Sequence, residues 1–183
     1  MTNDAIERSD SGRDGIGKGR SVRYCSINGS RDLPKQMHAN ISLRPATLQD
    51  APLFYGVVDQ TMREFNMATW GTGDEERIVR ESLENSQLPH AKVVQAAGQD
   101  AGVLVMECEP THLQIRHIYL LSEYQRQGIG TQSMAALVAQ ASAAGKPLRL
   151  RVLTVNPAKQ FYEKLGFVVT KKADEFFYVE HEA

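Results

Sequence analysis

The sequence predicts an α/β (α+β) fold in which a mixed, mostly antiparallel sheet is flanked by helices. From residue 41 onward, short segments that alternate apolar and polar residues are interspersed with segments whose apolar residues recur at helical spacing. Their order is β-α-α-β-β-β-α-β-α-β-β, which joins an antiparallel front half to a β-α-β unit. Because a β-α-β unit sets its two strands in parallel, the sheet is expected to be mixed.

Length and composition indicate one domain with an N-terminal extension. The chain has 183 residues, of which 42% are hydrophobic and 23% are charged, close to the globular average. Residues 1–40 are rich in Gly, Ser, Arg and Asp, and their apolar residues are isolated. Such a segment buries too little apolar surface to offset the entropy of ordering, so we expect a disordered tail there. Residues 41–183 form the expected domain.

The front half begins with a short strand and two helices. The strand covers 41–44 and ends at a proline. Thr47, with an acidic residue three positions later and a proline in the first turn, predicts the start of a helix that continues to about residue 65. A glycine-containing loop over 70–73 follows, and then a second, more polar helix is predicted over 74–85.

Three strands in succession complete the front half. They are predicted over 92–97, 102–109 and 112–121 from their alternation and β-branched residues. Gly98-Gln99-Asp100 between the first two is typical of a hairpin turn, and a Glu-Pro pair separates the second from the third. This segment is therefore expected to be an antiparallel meander.

The back half alternates helices with strands. A helix over 130–144 carries a single apolar stripe and ends at Gly145. A strand over 148–153 leads to a short helix over 157–164, which starts with proline and is capped by a glycine. Two further strands, over 167–170 and 176–179, complete the expected sheet.

Charge, hydropathy and cysteine content exclude several classes of protein. The net charge is −1, whereas dedicated nucleic-acid-binding proteins usually carry a strong basic excess. The sequence contains no run of about 18 apolar residues, so no membrane-spanning helix is predicted. The first thirty residues lack the apolar core of a signal peptide, and Cys25 and Cys108 are too few for a disulfide framework or a four-cysteine zinc site. We therefore expect a cytoplasmic protein, and the scattered histidines predict no metal site.

The segment between the strand over 112–121 and the helix over 130–144 is the most informative one. It contains Gln125-Arg126-Gln127 followed by two spaced glycines, Gly128 and Gly130. The glycines let the backbone bend tightly against a ligand, and the free N–H groups of the first helical turn point into that bend. Together with the positive end of the helix they form a site for an anion such as phosphate, with Arg126 at the rim. The alternative is a plain strand-to-helix turn.

Two nucleotide-binding motifs are incomplete in this sequence. Ser133 stands where a dinucleotide fingerprint needs its third glycine, and Arg151 stands where the acidic ribose-binding residue would end the next strand. Residues 12–18 have the outline of a P-loop, but Gly19 replaces the metal-binding Ser or Thr and no strand precedes the motif. Neither motif predicts a nucleotide site.

With these motifs the sequence resembles the GNAT superfamily of acyl-coenzyme A-dependent N-acyltransferases. The segment Gln125-Arg126-Gln127-Gly128-Ile129-Gly130 is similar to the family's Gln/Arg-x-x-Gly-x-Gly/Ala signature. The segment 156–167, with Asn156, Tyr162 and a Gly-Phe pair, is similar to its second signature. The resemblance extends from about residue 41 to 179 and includes the order of the elements.

The resemblance implies a fold, a cosubstrate and a set of site residues. The fourth and fifth strands, over 112–121 and 148–153, would be a splayed parallel pair, and Tyr162 would protonate the thiolate that leaves acetyl-CoA. Asn156 would contact the coenzyme, although its spacing to Tyr162 is one residue shorter than in many members. The other coenzyme-binding residues would be the strand residues Ile118, Tyr119 and Leu120, with a backbone N–H there polarising the thioester carbonyl, and the turn residues Gln125, Arg126, Gln127, Gly128, Ile129, Gly130 and Thr131.

The general base is left open by the sequence. Several family members use a glutamate on the strand before the turn, but the corresponding positions here are Gln114 and Arg116. His117 is adjacent, yet strand alternation predicts that it points to the other face. Glu64 at the end of the first helix, a water chain and an amine that arrives neutral are the alternatives.

The resulting hypothesis is an N-acetyltransferase that moves an acetyl group from acetyl-CoA to a primary amine by direct attack in a ternary complex. The lack of a placed cysteine nucleophile favours the direct route. A non-catalytic acyl-CoA-binding sensor is the alternative, because Gln114 and Arg116 stand where several family members carry a carboxylate. A third option is a nucleotide-dependent enzyme that uses the turn for another phosphate.

The acceptor is expected to be an amine of a small molecule or a peptide. Trp70 and Tyr55 lie on the segment that the resemblance places around the acceptor, although both are equally compatible with an ordinary core role. No nucleic-acid or membrane partner is expected. Exposed edge strands would permit either a monomer or a homodimer.

Overall fold

Residues 41–183 are described by a computed structural model and form a seven-stranded sheet with helices on both faces. The strand order is β1-β2-β3-β4-β5-β7-β6, and only the β4–β5 pair is parallel. The α/β class and the mixed, mostly antiparallel sheet are thereby confirmed. The strands are β1 Ile41–Pro45, β2 Ala91–Ala96, β3 Gln99–Cys108, β4 Leu113–Leu120, β5 Leu148–Leu153, β6 Val168–Lys172 and β7 Phe176–His181.

Four α-helices cover the two faces of the sheet. Phe54 and Val57 of the first helix pack on one face, while Met134 and Leu137 of the third pack on the other face. None of the helices in the described part of the chain is long and apolar enough to span a membrane. The helices are α1 Ala51–Trp70, α2 Glu75–Ser86, α3 Ile129–Ala143 and α4 Ala158–Lys164, with short 3-10 turns at Leu48–Asp50 and Ser122–Tyr124.

The predicted tail over 1–40, with its P-loop-like outline and Cys25, lies outside the described residues. Its disorder therefore stays a prediction, as does the domain boundary at residue 41. Within 41–183 the order of helices and strands is the predicted one. Most of their ends lie within two residues of the predicted positions.

The start of α1 is held by a partly buried ionic cluster. The Asp50 carboxylate accepts hydrogen bonds from the Thr47 N–H at 2.7 Å and from its hydroxyl at 3.0 Å, which confirms the predicted capping. Arg44 of β1 bridges Asp50 at 2.7 Å and Asp100 of β3 at 2.6 Å. The hydrogen bonds from Arg44 lower the pKa of Asp50 to about 2. The first strand, the first helix and the β2–β3 hairpin are thus joined by one guanidinium.

The β2–β3 hairpin turns one residue earlier than predicted. Ala96 pairs with Gln99, so the two turn residues are Ala97 and Gly98, with φ of 50° and 80°. Two positive φ values define the tight turn that matches the twist of the flanking strands. Alanine is uncommon in that conformation, which is why residue types alone favoured the later Gly98-Gln99-Asp100 turn.

Strands β4 and β5 separate soon after they meet. They pair only at Leu113 with Leu148 and at Gln114 with Arg149. The Gln114 side-chain amide then donates to the Arg149 carbonyl at 3.2 Å and to the Ile115 carbonyl at 3.0 Å. Beyond this point no strand within 41–183 pairs with the β4 edge that faces β5, so the sheet opens into a V.

Strand β4 also contains a bulge. Val105 pairs with His117 and the next residue, Met106, pairs with Ile115, so Arg116 has no partner on β3. An extra residue shifts the alternation of side chains by one position. Odd-numbered residues of β4 before Arg116 and even-numbered residues after it therefore point to the same face of the sheet.

Close contact between β3 and β4 requires a glycine at 102. A Cβ on Gly102 would lie 2.9 Å from the Leu120 Cα and nearer still to the Tyr119 carbonyl oxygen. We expect Gly102→Ala to lower the free energy of unfolding by about 1–3 kcal/mol, because the strands must move apart. Denaturant unfolding followed by circular dichroism measures the change.

Gly56 provides the matched control. It lies inside α1, and a Cβ added there would have no heavy atom within 4 Å, so Gly56→Ala should leave stability unchanged or raise it by up to about 1 kcal/mol. Equal stabilities for the Gly102→Ala and Gly56→Ala proteins would contradict the close β3–β4 packing.

Candidate active site

A cavity of about 170 Å³ lies where β4 and β5 separate. It is enclosed by α1, α2, the ends of β4 and β5, the segment that leads into α4, and the start of β7. The V-shaped gap passes through the sheet, so residues from both faces of the sheet line the cavity. The polar and aromatic side chains of its wall include Trp70, Arg77, Glu81, Asn85, Arg116, His117, Tyr119, Arg151, Asn156, Tyr162 and Phe176.

Tyr162 reaches this cavity from α4. Its side chain is 8% exposed, and its ring contacts Phe161 and Phe167 edge-to-face, with centroids 5.2 and 5.8 Å apart. No residue of 41–183 forms a hydrogen bond with its hydroxyl. Burial raises the pKa of Tyr162 well above its usual value, and neighbouring Tyr119 raises it further. The phenol therefore keeps its proton at neutral pH and can donate it.

Asn156 holds the start of α4. Its Oδ1 accepts a hydrogen bond from the Ala158 N–H at 2.9 Å, and its Nδ2 lies 3.8 Å from the Met62 Sδ of α1. A side-chain oxygen that accepts from a backbone N–H two residues later is a common way to begin a helix. Asn156 thus orients the helix that carries Tyr162. Its contact with the coenzyme stays a prediction.

The glycine turn presents unpaired backbone donors at the end of β4. The first intrahelical bond of α3 runs from the Gln132 N–H to the Gly128 carbonyl at 3.0 Å. The N–H groups of residues 129–131 consequently have no acceptor within the helix. Gly128 precedes α3 with a φ of 81°, and Arg126 is also left-handed with a φ of 59°. Two left-handed residues in so short a segment form the tight bend that the sequence predicted.

Glutamine side chains hold this turn in place. The Gln125 Nε2 donates to the Leu120 carbonyl at 2.8 Å, and the Gln127 Nε2 donates to the Glu123 carbonyl. Both side-chain amides donate to backbone carbonyls. Neither of them accepts a hydrogen bond from a main-chain N–H group of the turn. The turn is therefore fixed to the last residue of β4.

The residues predicted to lie beside the coenzyme's pantetheine arm occupy the open end of β4. Ile118 and Leu120 pack toward the α3 face, whereas Tyr119 packs toward α1 and lines the cavity. One edge of this segment pairs with β3, and the edge toward β5 carries no strand. The Leu120 carbonyl already accepts from Gln125, and the remaining N–H and C=O groups on such an edge can bind an extended chain.

The prediction that His117 points away from the site is wrong. The bulge at Arg116 reverses the alternation, so His117 and Tyr119 both face α1 and α2 and line the cavity. The His117 Nε2 lies 3.3 Å from the Asn85 Nδ2, and its Nδ1 lies 3.4 Å from the Tyr119 hydroxyl. Burial lowers the pKa of His117 to about 4, with smaller effects from Arg116 and Arg151. Burial also raises the pKa of Tyr119 to about 12.

The other candidate bases fall in different places. Gln114 holds the point where the strands separate, and Arg116 lines the cavity while pairing with Glu107 at 3.5 Å. Glu64 is exposed on α1 and is not part of the cavity wall. Sequence reasoning missed Glu81 of α2, which lines the cavity and pairs with Arg77 at 3.3 Å. The i, i+4 spacing of these two residues was the only signal, and it is common on exposed helices.

The two aromatic residues predicted near the acceptor separate in the structure. Trp70 lines the cavity, and its indole N–H donates to the Glu175 Oε1 at 2.8 Å. The Tyr55 hydroxyl instead donates to the Glu75 Oε1 at 3.1 Å, and Tyr55 is not part of the cavity wall. In the described range, no group of three or more His, Cys, Asp or Glu residues is arranged to hold a metal ion.

The turn, the free edge of β4 and the cavity lie together at the end of β4, where it separates from β5. Residues 89–169 match the family model described as the acetyltransferase (GNAT) domain. The resemblance to the GNAT superfamily is thereby confirmed: the described residues have a GNAT fold, and the matched segment carries the GNAT domain sequence. A comparison with curated protein sequences gave no match.

Several solved structures share the fold of the described residues. The PaiA N-acetyltransferase from Thermoplasma acidophilum, in complex with coenzyme A, is 19% identical with a TM-score of 0.64, covering 78% of this chain and 99% of its own. An acetyltransferase from Thermus thermophilus is 22% identical with a TM-score of 0.64, covering 79% and 97%. RimL, a ribosomal L7/L12 alpha-N-protein acetyltransferase, is 18% identical with a TM-score of 0.58, covering 80% and 92%.

The buried imidazole gives a testable pH dependence. Because the pKa of His117 is about 4 in the folded chain and about 6.5 in an unfolded one, the neutral ring stabilises the fold fully above pH 6.5. That contribution is lost as the pH falls from about 6.5 toward 4. An NMR titration of the ring protons should show a midpoint near 4, and the signal missing from His117→Gln identifies the resonance. A midpoint near 6.5 would show that the ring is solvated.

Proposed function

We propose that this protein transfers an acetyl group from acetyl-CoA to a primary amine by direct attack in a ternary complex. The observation that carries the proposal is the convergence of three features on one gap in the sheet. The Tyr162 hydroxyl, the free edge of β4 and the cavity all meet there, and the unpaired amides of the turn lie at the end of the same strand.

The residues present fit the coenzyme. The backbone N–H groups of residues 126–131 would bind its diphosphate, since several amides and a helix N-terminus together favour an anion. Arg126 adds a positive charge at the rim of the turn. The open edge of β4 over residues 118–120 would bind the pantetheine amides as an added strand would. When bound, acetyl-CoA supplies an activated thioester.

Proton transfer is assigned to Tyr162. The amine nitrogen forms a bond to the thioester carbonyl carbon, and the carbon–sulfur bond breaks. Tyr162 would donate its proton to the departing sulfur, and the proton that the amine nitrogen loses would return to the Tyr162 phenolate. The phenol is protonated at neutral pH because burial raises its pKa. A backbone N–H of residues 118–120 would stabilise the developing oxyanion, and one such donor is typically worth about 2.7–4 kcal/mol.

The acceptor is expected to react as a neutral amine. His117, with a pKa of about 4, is a weak base, so proton transfer to it from an ordinary ammonium would cost roughly 9 kcal/mol. Releasing the same proton to solvent at pH 7 costs roughly 4.6 kcal/mol. His117 is therefore better suited to fix the orientation of the Tyr119 hydroxyl than to accept the substrate's proton.

Coenzyme binding depends on the conformation at residue 128. Gly128→Ala places a Cβ in a left-handed conformation that costs roughly 1–2 kcal/mol. As the turn relaxes and its amides move, we expect the Kd for coenzyme A, measured by calorimetry, to rise about tenfold or more. If calorimetry detects no heat when coenzyme A is added to the parent protein, the proposed function is refuted.

Gly145 is the matched control for this strain. It is also left-handed, with a φ of 61°, but it lies at the opposite end of α3 with no heavy atom near its Cβ position. Gly145→Ala should lower the stability to a similar degree while leaving the Kd for coenzyme A within about twofold of the parent value. A similar loss of affinity in both variants would show that the effect is merely one of folding.

Replacement of the proton donor should affect the chemical step. We expect Tyr162→Phe to lower kcat about 100-fold or more while changing the KM for acetyl-CoA by no more than about threefold. Tyr178→Phe, on the exposed face of β7, is the control and should leave kcat unchanged. An unchanged kcat in Tyr162→Phe would remove this residue from the mechanism.

The alternative, a non-catalytic acyl-CoA-binding sensor, is favoured by the absence of a carboxylate at Gln114 and Arg116. Steady-state assays of thioester consumption with a panel of amines distinguish the two functions. Coenzyme A binding without turnover of any amine would favour the sensor.

A further inference from the structure

The cavity wall carries an excess of positive charge. Among the described residues that line it, Arg77, Arg116 and Arg151 are cationic and Glu81 is anionic. His117 does not offset or add to this charge at neutral pH, because its ring is unprotonated. A ligand group with a negative charge is therefore favoured in the cavity.

Two of the three arginines already have carboxylate partners. Arg77 pairs with Glu81 at 3.3 Å, and Arg116 pairs with Glu107 at 3.5 Å. Arg151 differs, since no carboxylate within 41–183 lies at ion-pair distance from it. Its guanidinium lies over the ring of Phe176, 4.5 Å from the centroid.

Arg151 is held in place by an aromatic stack. Phe176 at the start of β7 packs against Trp70, with centroids 6.2 Å apart. Trp70 is fixed in turn by its hydrogen bond to Glu175. A guanidinium stacked on a ring keeps its edge donors free for a planar, two-oxygen partner. The charge of Arg151 also makes a small contribution to the lowered pKa of His117, a residue of the same cavity wall.

We propose that Arg151 binds a carboxylate of the acceptor, so that the acceptor is a small molecule that carries both an amine and a carboxylate, such as a free amino acid. This inference rests on the proposed acetyl transfer and specifies its substrate class. A guanidinium can bind both carboxylate oxygens at once, which fixes the direction of the molecule as well as its position. The amine then points toward the gap that holds the Tyr162 hydroxyl.

Matched pairs of acceptors test this assignment. Each amino acid is assayed beside the amine that lacks its carboxylate, for example phenylalanine with 2-phenylethylamine and leucine with 3-methylbutylamine. A charged hydrogen bond is worth about 1.5–3 kcal/mol, so the parent protein should prefer the best amino acid by roughly 10- to 100-fold in kcat/KM. Arg151→Gln should lower kcat/KM for that amino acid by the same factor and leave its simple amine within about twofold.

Two further variants separate this role from a general effect. Arg151→Lys keeps the charge but not the two-pronged geometry, so it should recover only part of the activity with the amino acid. Arg80→Gln removes one positive charge from the exposed side of α2, outside the cavity, and should change neither substrate. Thermal unfolding of all three variants shows whether they are folded.

A binding measurement separates failure of this inference from failure of the proposed function. Calorimetry with N-acetylphenylalanine and N-acetyl-2-phenylethylamine needs no turnover. Arg151-dependent binding of the former without acetylation of any amine would refute the proposed function and leave the anion site standing. Three results would overturn the inference. The parent protein could use both members of every pair equally, or N-acetylphenylalanine could fail to bind. Alternatively, Arg151→Gln could raise only the KM for acetyl-CoA.

Discussion

The separation of β4 from β5 is the constraint on which the rest of the site depends. The two strands share only two residue pairs, and the Gln114 side chain then bonds backbone carbonyls of both strands at the point of divergence. A continued parallel ladder would fill the gap and pair the edge of β4. The early separation opens the sheet, exposes that edge and lets Tyr162, which belongs to the α3 side, reach a cavity on the α1 side.

The same strand fixes the turn that follows it. Gln125 bonds the carbonyl of Leu120, so the unpaired amides before α3 keep a constant position relative to the open edge of β4. Under the proposed function, the amides and the edge would bind different parts of coenzyme A, and little flexibility remains between them. A ligand held at both places therefore has its reactive end placed by the backbone, while the cavity side chains determine what it meets there.

Local patterns predicted the order of elements and the glycine turn, because each depends on neighbours in the sequence. The expected place of Tyr162 came instead from the resemblance to the GNAT superfamily. The direction of His117 could not be predicted by simple alternation, since the bulge at Arg116 depends on the register with β3. A trace of it exists in the sequence, where Ile115 and Ile118 are spaced by three rather than two. Glu81 and Arg151 are far apart in the chain, and only the packing of α2 over the sheet brings them to one cavity.

The protonation states of the buried groups favour one kind of chemistry. Burial keeps the phenols of Tyr119 and Tyr162 protonated and the imidazole of His117 neutral, so the cavity offers proton donors and no strong base from these residues. The arginines that lower the pKa of His117 would lower that of an ammonium group in the same place. An acceptor whose carboxylate is bound by a guanidinium would therefore lose its amine proton more readily, and the need for a dedicated carboxylate base at Gln114 or Arg116 is reduced.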